Sequence, residues 1–140
     1  MAGDARAAAI SLIENYYAAF NTGDMPAFAA LLADDVVHDI NQGARQTGKA
    51  EFAAFMQRMN GAYREQLTDF SILANEAGTR ASAEFVVHGQ YLKTDAGLPP
   101  ARGQKYLLPA GAFFEIRAGK VARISNYYNL QDWIAQIAQS

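Results

Sequence analysis

Apolar side chains in the first half of the chain recur every three or four residues, which is the spacing of amphipathic helices. The first such stretch runs over 10–20 and ends at Gly23. Asp24 is placed to cap a short second helix that carries Pro26 in its first turn. Helical spacing returns over 49–63. The pattern therefore predicts three helices before residue 64.

Elsewhere apolar and polar residues alternate, which is typical of β-strands with one buried face. The alternation predicts one short strand before the third helix and four longer ones after it, at 36–41, 67–74, 80–92, 104–117 and 121–128. Pro109 and Gly111 indicate that the strand 104–117 has an edge position or a bulge. Segment 94–102, with its Pro99-Pro100 pair, is the only loop that resembles a lid. Asn129 is placed to cap a final helix.

Helices and antiparallel strands are segregated along the chain, so the predicted fold class is α+β. We expect a single domain over 1–140, because a chain of this length supports one core. A curved antiparallel or mixed sheet would wrap the three N-terminal helices as a cone, followed by a short C-terminal helix. Such a cone would leave an apolar pocket at its open end.

Composition excludes several classes of function. The 12 Lys and Arg against 14 Asp and Glu are scattered singly, which argues against nucleic-acid binding. The absence of cysteine excludes disulfides and thiol catalysis. There is no apolar run of about 18 residues that would span a membrane, and the N-terminus lacks the pattern of a signal peptide. We therefore expect a cytoplasmic protein without a nucleic-acid or membrane partner.

Several stretches resemble one large superfamily. The N-terminal ENYYAAFNTGDMPAFAALLADDVV is similar to the helix, Gly-Asp turn, helix and acidic strand entry of the nuclear transport factor 2-like and ketosteroid isomerase-like cones. Four later stretches resemble a narrower group within this superfamily, which is described as ketosteroid isomerase-related or SnoaL-like. They are MNGAYREQLTDF, AEFVVHGQY, LPPARGQKYLLPAGAFFEI and YYNLQDWI. The resemblance covers nearly the whole chain and implies the cone fold. It does not imply one reaction, because one fold hosts many functions.

The resemblance can be carried onto particular residues. Ketosteroid isomerases use an Asp base, with a Tyr and a protonated Asp as donors to the developing oxyanion. Tyr16 falls at the position of the donor Tyr, whereas the base falls on Ile40, one residue beyond Asp39. The donor Asp falls on Ala112, which cannot donate a hydrogen bond. Steroid isomerase activity is therefore not expected.

Two neighbouring residues are candidates for proton transfer. His38 alternates with Val36 and Ile40, which the resemblance places inward, and an imidazole in a pocket can act as acid or base near neutral pH. The alternative is a core histidine that is bonded to a backbone carbonyl. Asp39 can be a proton acceptor in the pocket only if a bulge turns it inward. Otherwise it is a solvated strand residue.

Other polar, aromatic and methionine side chains are candidates for the pocket wall. Tyr16 is expected there because a buried phenol needs a hydrogen-bond partner. The predicted ligand-pocket residues are Met56, Met59, Tyr63, His88, Asn126, Tyr128 and Trp133, with Tyr106 as a further candidate. The alternatives are a place in the core for the aromatic and Met side chains and a place on an outer, polar face for His88. No spacing of ligands suggests a metal site, and we expect no cofactor.

Two functions remain open at this point. One is a small enzyme that moves protons on an apolar molecule with a carbonyl group, as an isomerase, cyclase or dehydratase. In that case His38 or Asp39 would be the base and Tyr16 the donor. The other is a non-catalytic module for ligand binding or dimerisation. In both cases we expect a homodimer through an exposed sheet face that contains Val87, Phe113 and Tyr127.

Overall fold

Helices and strands follow one another with short connections over residues 2–139, which are the residues that this computed structural model describes. Over this range the helices are α1 (Ala2–Thr22), α2 (Met25–Ala30), α3 (Lys49–Ala62) and α4 (Leu130–Gln139). The strands are β1 (Leu32–Asp39), β2 (Arg45–Thr47), β3 (Tyr63–Ala74), β4 (Arg80–Tyr91), β5 (Lys105–Arg117) and β6 (Lys120–Tyr128). None of the helices in the described range is long and apolar enough to cross a membrane.

The six strands form one mixed, curved sheet in the order β2-β1-β6-β5-β4-β3. β1 runs parallel to β6, and the other neighbouring pairs are antiparallel. The helices pack against this sheet, and apolar residues from both layers form a single core. The predicted α+β cone is confirmed.

The predicted helix boundaries at Gly23, Asp24 and Asn129 are confirmed. α1 ends one residue before Gly23, whose φ of 75° suits a residue without a side chain. Asp24 Oδ1 accepts a hydrogen bond from the Ala27 N–H at 3.1 Å, and Asn129 Oδ1 accepts one from the Asp132 N–H at 3.1 Å. Each cap satisfies a backbone donor that has no partner within its helix.

Asn21 fastens the end of α1 to β3. Its side-chain amide donates to the Leu67 carbonyl and accepts from the Leu67 N–H, both at 2.9 Å. The amide therefore takes the place that a neighbouring strand would have beside Leu67. These two hydrogen bonds fix α1 across the inner face of the sheet. There the Tyr17 ring packs on Phe85 at 5.1 Å between centroids.

The strands that adjoin α2 and α3 differ from the prediction. β1 begins at Leu32 instead of residue 36, and β2 forms inside the predicted polar loop because the edge of β1 offers its backbone a partner. β3 begins at Tyr63 and not after Gln66. Tyr63 has an extended backbone and pairs with Tyr91, so sheet pairing overrides the helical spacing that includes this tyrosine.

The position of β5 in the sheet also differs from the prediction. β5 lies between β4 and β6 and is not an edge strand, and its irregularity lies at Glu115 and Ile116 instead of Pro109. Pro109 lies just beyond Ala110, where the pairing with β6 ends. Its flank toward β6 is therefore unpaired, which is where a residue without an N–H is tolerated.

Candidate active site

A cavity of about 460 Å³ lies between the inner face of the sheet and the helices α1, α3 and α4. Its volume is in the range of pockets that hold small molecules. Aromatic and aliphatic side chains form most of its wall. Few side chains in this wall are titratable, and they determine what chemistry the cavity can support: Tyr16, Tyr17, His38, Arg58, Tyr63, Glu65, Asp95, Tyr106 and Tyr128.

Glu65 and Tyr106 form a hydrogen-bonded pair in the wall. Glu65 on β3, Gly89 on β4 and Tyr106 on β5 lie in one row across three neighbouring strands. The Tyr106 ring crosses over Gly89, and its hydroxyl donates to Glu65 Oε2 at 2.5 Å. A Cβ atom at position 89 would lie 2.1 Å from Cζ of that ring. Only glycine leaves room for this crossing.

The environment of this pair favours the neutral form of the carboxyl group. Burial raises the pKa of Glu65, and the hydrogen bond from Tyr106 opposes part of that rise. Burial, followed by the charge of Glu65, raises the pKa of the Tyr106 phenol, which therefore stays a donor. A carboxyl group with a raised pKa can give a proton as well as accept one in a cavity of this kind.

A second tyrosine-carboxylate pair connects the wall to the predicted lid. Tyr63 lies two residues before Glu65 on β3, and its hydroxyl donates to Asp95 Oδ2 at 2.9 Å. The Tyr91 hydroxyl accepts from the Asp95 N–H at 2.9 Å and donates to the Pro99 carbonyl at 2.7 Å. These bonds hold the loop that follows β4 against the mouth of the cavity.

His38 lies in another part of the wall and is only 2% exposed. Its ring stacks on Phe52 at 4.5 Å between centroids and meets the edge of Phe55 at 4.6 Å. Burial lowers the pKa of His38, and the nearby charge of Asp39 opposes this effect. Its Nδ1 atom is buried without a hydrogen-bond partner in the described part of the chain. The alternative of a histidine whose Nδ1 is bonded to a backbone carbonyl is therefore not what the structure shows.

Tyr16 lies where α1 crosses the sheet. Its ring contacts Phe28 at 4.6 Å and Phe114 at 5.4 Å between centroids. Burial raises the pKa of its phenol, so it remains a neutral donor. The neighbouring Tyr17 also lines the cavity, and its buried hydroxyl has no partner within the described residues.

The comparison with known proteins identifies the family. Residues 13–124 match the model of the SnoaL-like domain. The chain belongs to the SnoaL-like family. Among curated proteins none matches this SnoaL-like chain.

Several solved structures are similar to this chain. A Pseudomonas putida protein, provisionally assigned as a polyketide cyclase, is 64% identical with a TM-score of 0.91, and the match covers 92% of this chain and 97% of that one. A Xanthomonas campestris protein with the same provisional assignment is 58% identical with a TM-score of 0.92, covering 95% and 98%. An epoxide hydrolase of M. tuberculosis is 19% identical with a TM-score of 0.76, covering 96% and 92%, and shares the fold alone.

The SnoaL-like cavity brings together most of the residues that the sequence suggested. Its wall contains Tyr16, His38, Met56, Met59, Tyr63, Asn126, Tyr128 and Trp133, as well as Tyr106. Their contact with a ligand stays a prediction. Glu65 and Asp95 also line the cavity, and neither was among the candidates.

Two candidates lie outside the cavity, contrary to the prediction. Asp39 projects from the opposite face of β1 from His38, where it accepts from Arg45 Nε at 2.6 Å and from Ser125 Oγ at 2.6 Å. The register shift between β1 and β6 falls before Val37, so no bulge at this point turns Asp39 inward. His88 is exposed on the outer face of β4 and hydrogen-bonds to Thr68 Oγ1 at 2.9 Å.

The residues of the described range contain no cluster of three His, Cys, Asp or Glu side chains that could hold a metal ion. Arg58 is the one Lys or Arg side chain among the residues of the described cavity wall. Its guanidinium lies 5.4 Å from the centroid of the Phe55 ring. The carboxyl, imidazole and phenol groups of the cavity wall can hydrogen-bond to a ligand and transfer protons.

Proposed function

We propose that this SnoaL-like protein is an enzyme of the isomerase or cyclase type. It transfers protons on an apolar small molecule that contains a carbonyl group, with its own side chains as acid and base. The observation that carries the proposal is a carboxyl group and an imidazole in the wall of one cavity, Glu65 and His38. The provisional assignment of two close relatives as polyketide cyclases supports a substrate with several carbonyl groups.

The environments of these two groups favour opposite roles. Burial raises the pKa of Glu65 and lowers the pKa of His38, so each neutral form is favoured. A neutral carboxyl group can donate a proton, and a neutral imidazole can accept one. Burial that keeps a carboxyl group protonated and an imidazole unprotonated prepares the first as an acid and the second as a base. Glu65 is therefore the acid and His38 the base.

The proposed reaction begins when His38 takes a proton from the carbon next to a substrate carbonyl. The C–H bond breaks, an N–H bond forms, and the electron pair moves onto the carbonyl oxygen. The carboxyl group of Glu65 donates to that oxygen, while Tyr106 holds the other carboxyl oxygen. A fixed donor in a cavity shielded from water stabilises developing charge far better than a donor in water does.

The enol formed in this way has three outcomes. The imidazolium of His38 returns the proton to a different carbon, which isomerises the substrate. The enol carbon attacks a second carbonyl of the same molecule, whose C=O π bond opens, and the imidazolium of His38 protonates the new alkoxide, which closes a ring. A hydroxyl group on the neighbouring carbon takes the proton of the imidazolium and leaves as water, which is a dehydration. In each case the Glu65 carboxylate takes back the enol proton as the first carbonyl re-forms. Tyr16, which also lines the cavity, is a further donor for a substrate oxygen.

A non-catalytic binding module is the alternative function. For such a module we expect an apolar cavity, with His38 and the carboxyl groups exposed to solvent. Here His38 is 2% exposed, and the carboxyl group of Glu65 lines the cavity. Burial of titratable groups lowers the stability of the fold, so such groups in a cavity indicate a function. Their positions support the enzyme over the binding module.

Exchange of α-protons in deuterated buffer tests the proposal. Small ketones and β-diketones are incubated with the protein, and loss of the α-proton signal is followed by proton NMR. We expect Glu65→Gln and His38→Gln to lower the exchange rate by about 10²–10⁴-fold. Glu84→Gln and His88→Gln are matched controls, because both residues are exposed on the outer face of β4. Equal rates in the cavity variants and the controls would refute the assignment.

We also propose that the protein is a homodimer through the outer face of the sheet. Phe113 and Tyr127 are 52% and 55% exposed there and contact each other at 5.6 Å between ring centroids. Leu107 adds a third exposed apolar side chain on β5. Val87, in contrast, lies on the inner face and is buried, so it is not part of this surface. Exposed apolar patches of this kind are typical of interfaces.

A further inference from the structure

Two buried polar atoms without a hydrogen-bond partner occur at neighbouring positions on the edge of the sheet. His38 and Gln46 are directly opposite each other in the antiparallel pair of β1 and β2. Residues opposite each other in this way project from the same face, with Cβ atoms about 4.5–5.5 Å apart. His38 Nδ1 and Gln46 Oε1 are both buried, and neither has a partner within the described residues.

The two atoms are chemically complementary. An imidazole nitrogen can carry a hydrogen, whereas an amide oxygen only accepts one. A buried polar group without a partner is costly, and the cost is removed for both if they bond to each other. Side chains with Cβ atoms this close can reach each other directly or through one bridging water. The positions of both atoms favour an Nδ1–H of His38 that faces the oxygen of Gln46.

The His38 ring is held in a fixed orientation. Phe52 stacks on it with an angle of 10° between the ring planes, and the Phe55 ring meets it at 75°. These contacts fix the plane of the ring. Nδ1 is the buried ring nitrogen, and Nε2 is the ring nitrogen that remains for the cavity that His38 lines.

We propose that Gln46 is a positioning residue that accepts the Nδ1 hydrogen of His38 and leaves the Nε2 lone pair free in the cavity. The hydrogen bond at one ring nitrogen of a histidine sets which nitrogen is protonated. The resulting tautomer is the one that a base at Nε2 requires. The use of Nε2 as a base rests on the proposed function, whereas the tautomer itself does not.

Nitrogen-15 NMR of the ring nitrogens tests this inference without any turnover. The full chain is labelled at histidine and measured at alkaline pH, where the His38 imidazole is neutral. His88 is exposed and serves as a reference in the same spectrum. The variants are Gln46→Leu, which removes the acceptor, and Gln46→Glu, which keeps one. Gln57→Leu is the matched control, because Gln57 is exposed on α3.

We expect His38 to carry its hydrogen on Nδ1 in the natural protein and in the Gln57 variant. This signature should be lost in Gln46→Leu and restored in Gln46→Glu. A hydrogen on Nε2 in the natural protein would overturn the inference, even if neither Gln46 variant folds. A tautomer that is unchanged in folded Gln46→Leu would overturn it as well. If the tautomer is as expected but no ketone is exchanged, the proposed function fails and the role of Gln46 stands.

Discussion

The Tyr106 ring lies across Gly89 and its hydroxyl donates to Glu65 on the strand beyond. Three neighbouring strands each contribute one residue to this row. The absence of a side chain on the middle strand therefore allows a donor on β5 to hold a carboxyl group on β3. This arrangement positions the proposed acid, and several predictions depend on it.

Substitution of Gly89 by Ala should break the pair. A Cβ at this position would lie 2.1 Å from Cζ and 2.5 Å from the hydroxyl oxygen of Tyr106, so the ring must move away. We expect a loss of about 1–3 kcal/mol of folding free energy from overpacking and a large loss of exchange activity. Thermal denaturation and the exchange assay measure the two effects. Gly61→Ala is the control, since no atom within 4 Å would meet its Cβ. Wild-type activity in Gly89→Ala would contradict the role of the crossing.

Substitution of Tyr106 by Phe should raise the pKa of Glu65 and lower the stability of the fold. The hydrogen bond from Tyr106 lowers the pKa of Glu65, so its loss raises that pKa further. Glu65 then keeps its proton to a higher pH, and the alkaline limb of the exchange profile moves upward. An unpaired carboxyl group costs most when it is ionised, so the variant should lose about 1–3 kcal/mol of stability at alkaline pH and less in acid. An alkaline limb at its wild-type position would show that Glu65 does not produce it.

Substitution of Asp39 by Asn should change stability but leave the rate of exchange at pH 7 unchanged. Its only effect on exchange should be an acid limb at lower pH, because the charge of Asp39 raises the pKa of His38. Hydrogen bonds from Arg45 and Ser125 help to lower the pKa of Asp39 to about 2, with that of Arg45 the largest cause. A lowered pKa means that the ionised carboxylate stabilises the fold at neutral pH, and this contribution disappears as the pH falls from about 4 toward 2. Because the pair is near the surface, the loss at pH 7 should be at most about 1 kcal/mol. Denaturation of the natural protein and the variant at pH 7 and at acid pH measures this difference in stability. A strong loss of exchange at pH 7 would indicate that Asp39 is the base after all.

Substitution of Phe113 by Glu should give a monomer. The new charge would be buried in the proposed interface beside Tyr127, and the nearby cations of the outer face, Arg80 and Arg123, are already paired with Glu115. Light scattering after size exclusion should give the mass of two chains for the natural protein and the mass of one chain for the variant. Leu92→Glu is the control, because Leu92 is exposed just beyond the end of β4. A natural protein that is a monomer at micromolar concentration would refute the dimer.

Much of the fold can be predicted from the sequence because its signals are local. The spacing of apolar residues predicts α1 and α3, and the capping residues Asp24 and Asn129 mark where α2 and α4 begin. The start of β3 could not be predicted in this way. Tyr63 continues the helical spacing of α3, and only its pairing with Tyr91, 28 positions later, makes it the first residue of a strand.

The candidate site depends more on long-range contacts. Glu65 was not a candidate because it falls before the point where the alternation of β3 becomes visible. One signal was present, since a glycine such as Gly89 inside a strand pattern indicates a close approach by another group. The exclusion of His88 from the cavity could also have been predicted. The alternating set of Phe85 and Val87 is the apolar one, and His88 belongs to the other face.

The pH dependence of α-proton exchange tests the central claim most directly. The proposed base requires neutral His38, and the proposed acid requires protonated Glu65. The rate should therefore rise as His38 loses its proton, below the usual range of a histidine, and fall as Glu65 loses its own, above the usual range of a carboxyl group. We predict that His38→Gln abolishes the acid limb and that Glu65→Gln abolishes the alkaline limb. A profile with the same two limbs in both variants would contradict the assignment of acid and base to these residues.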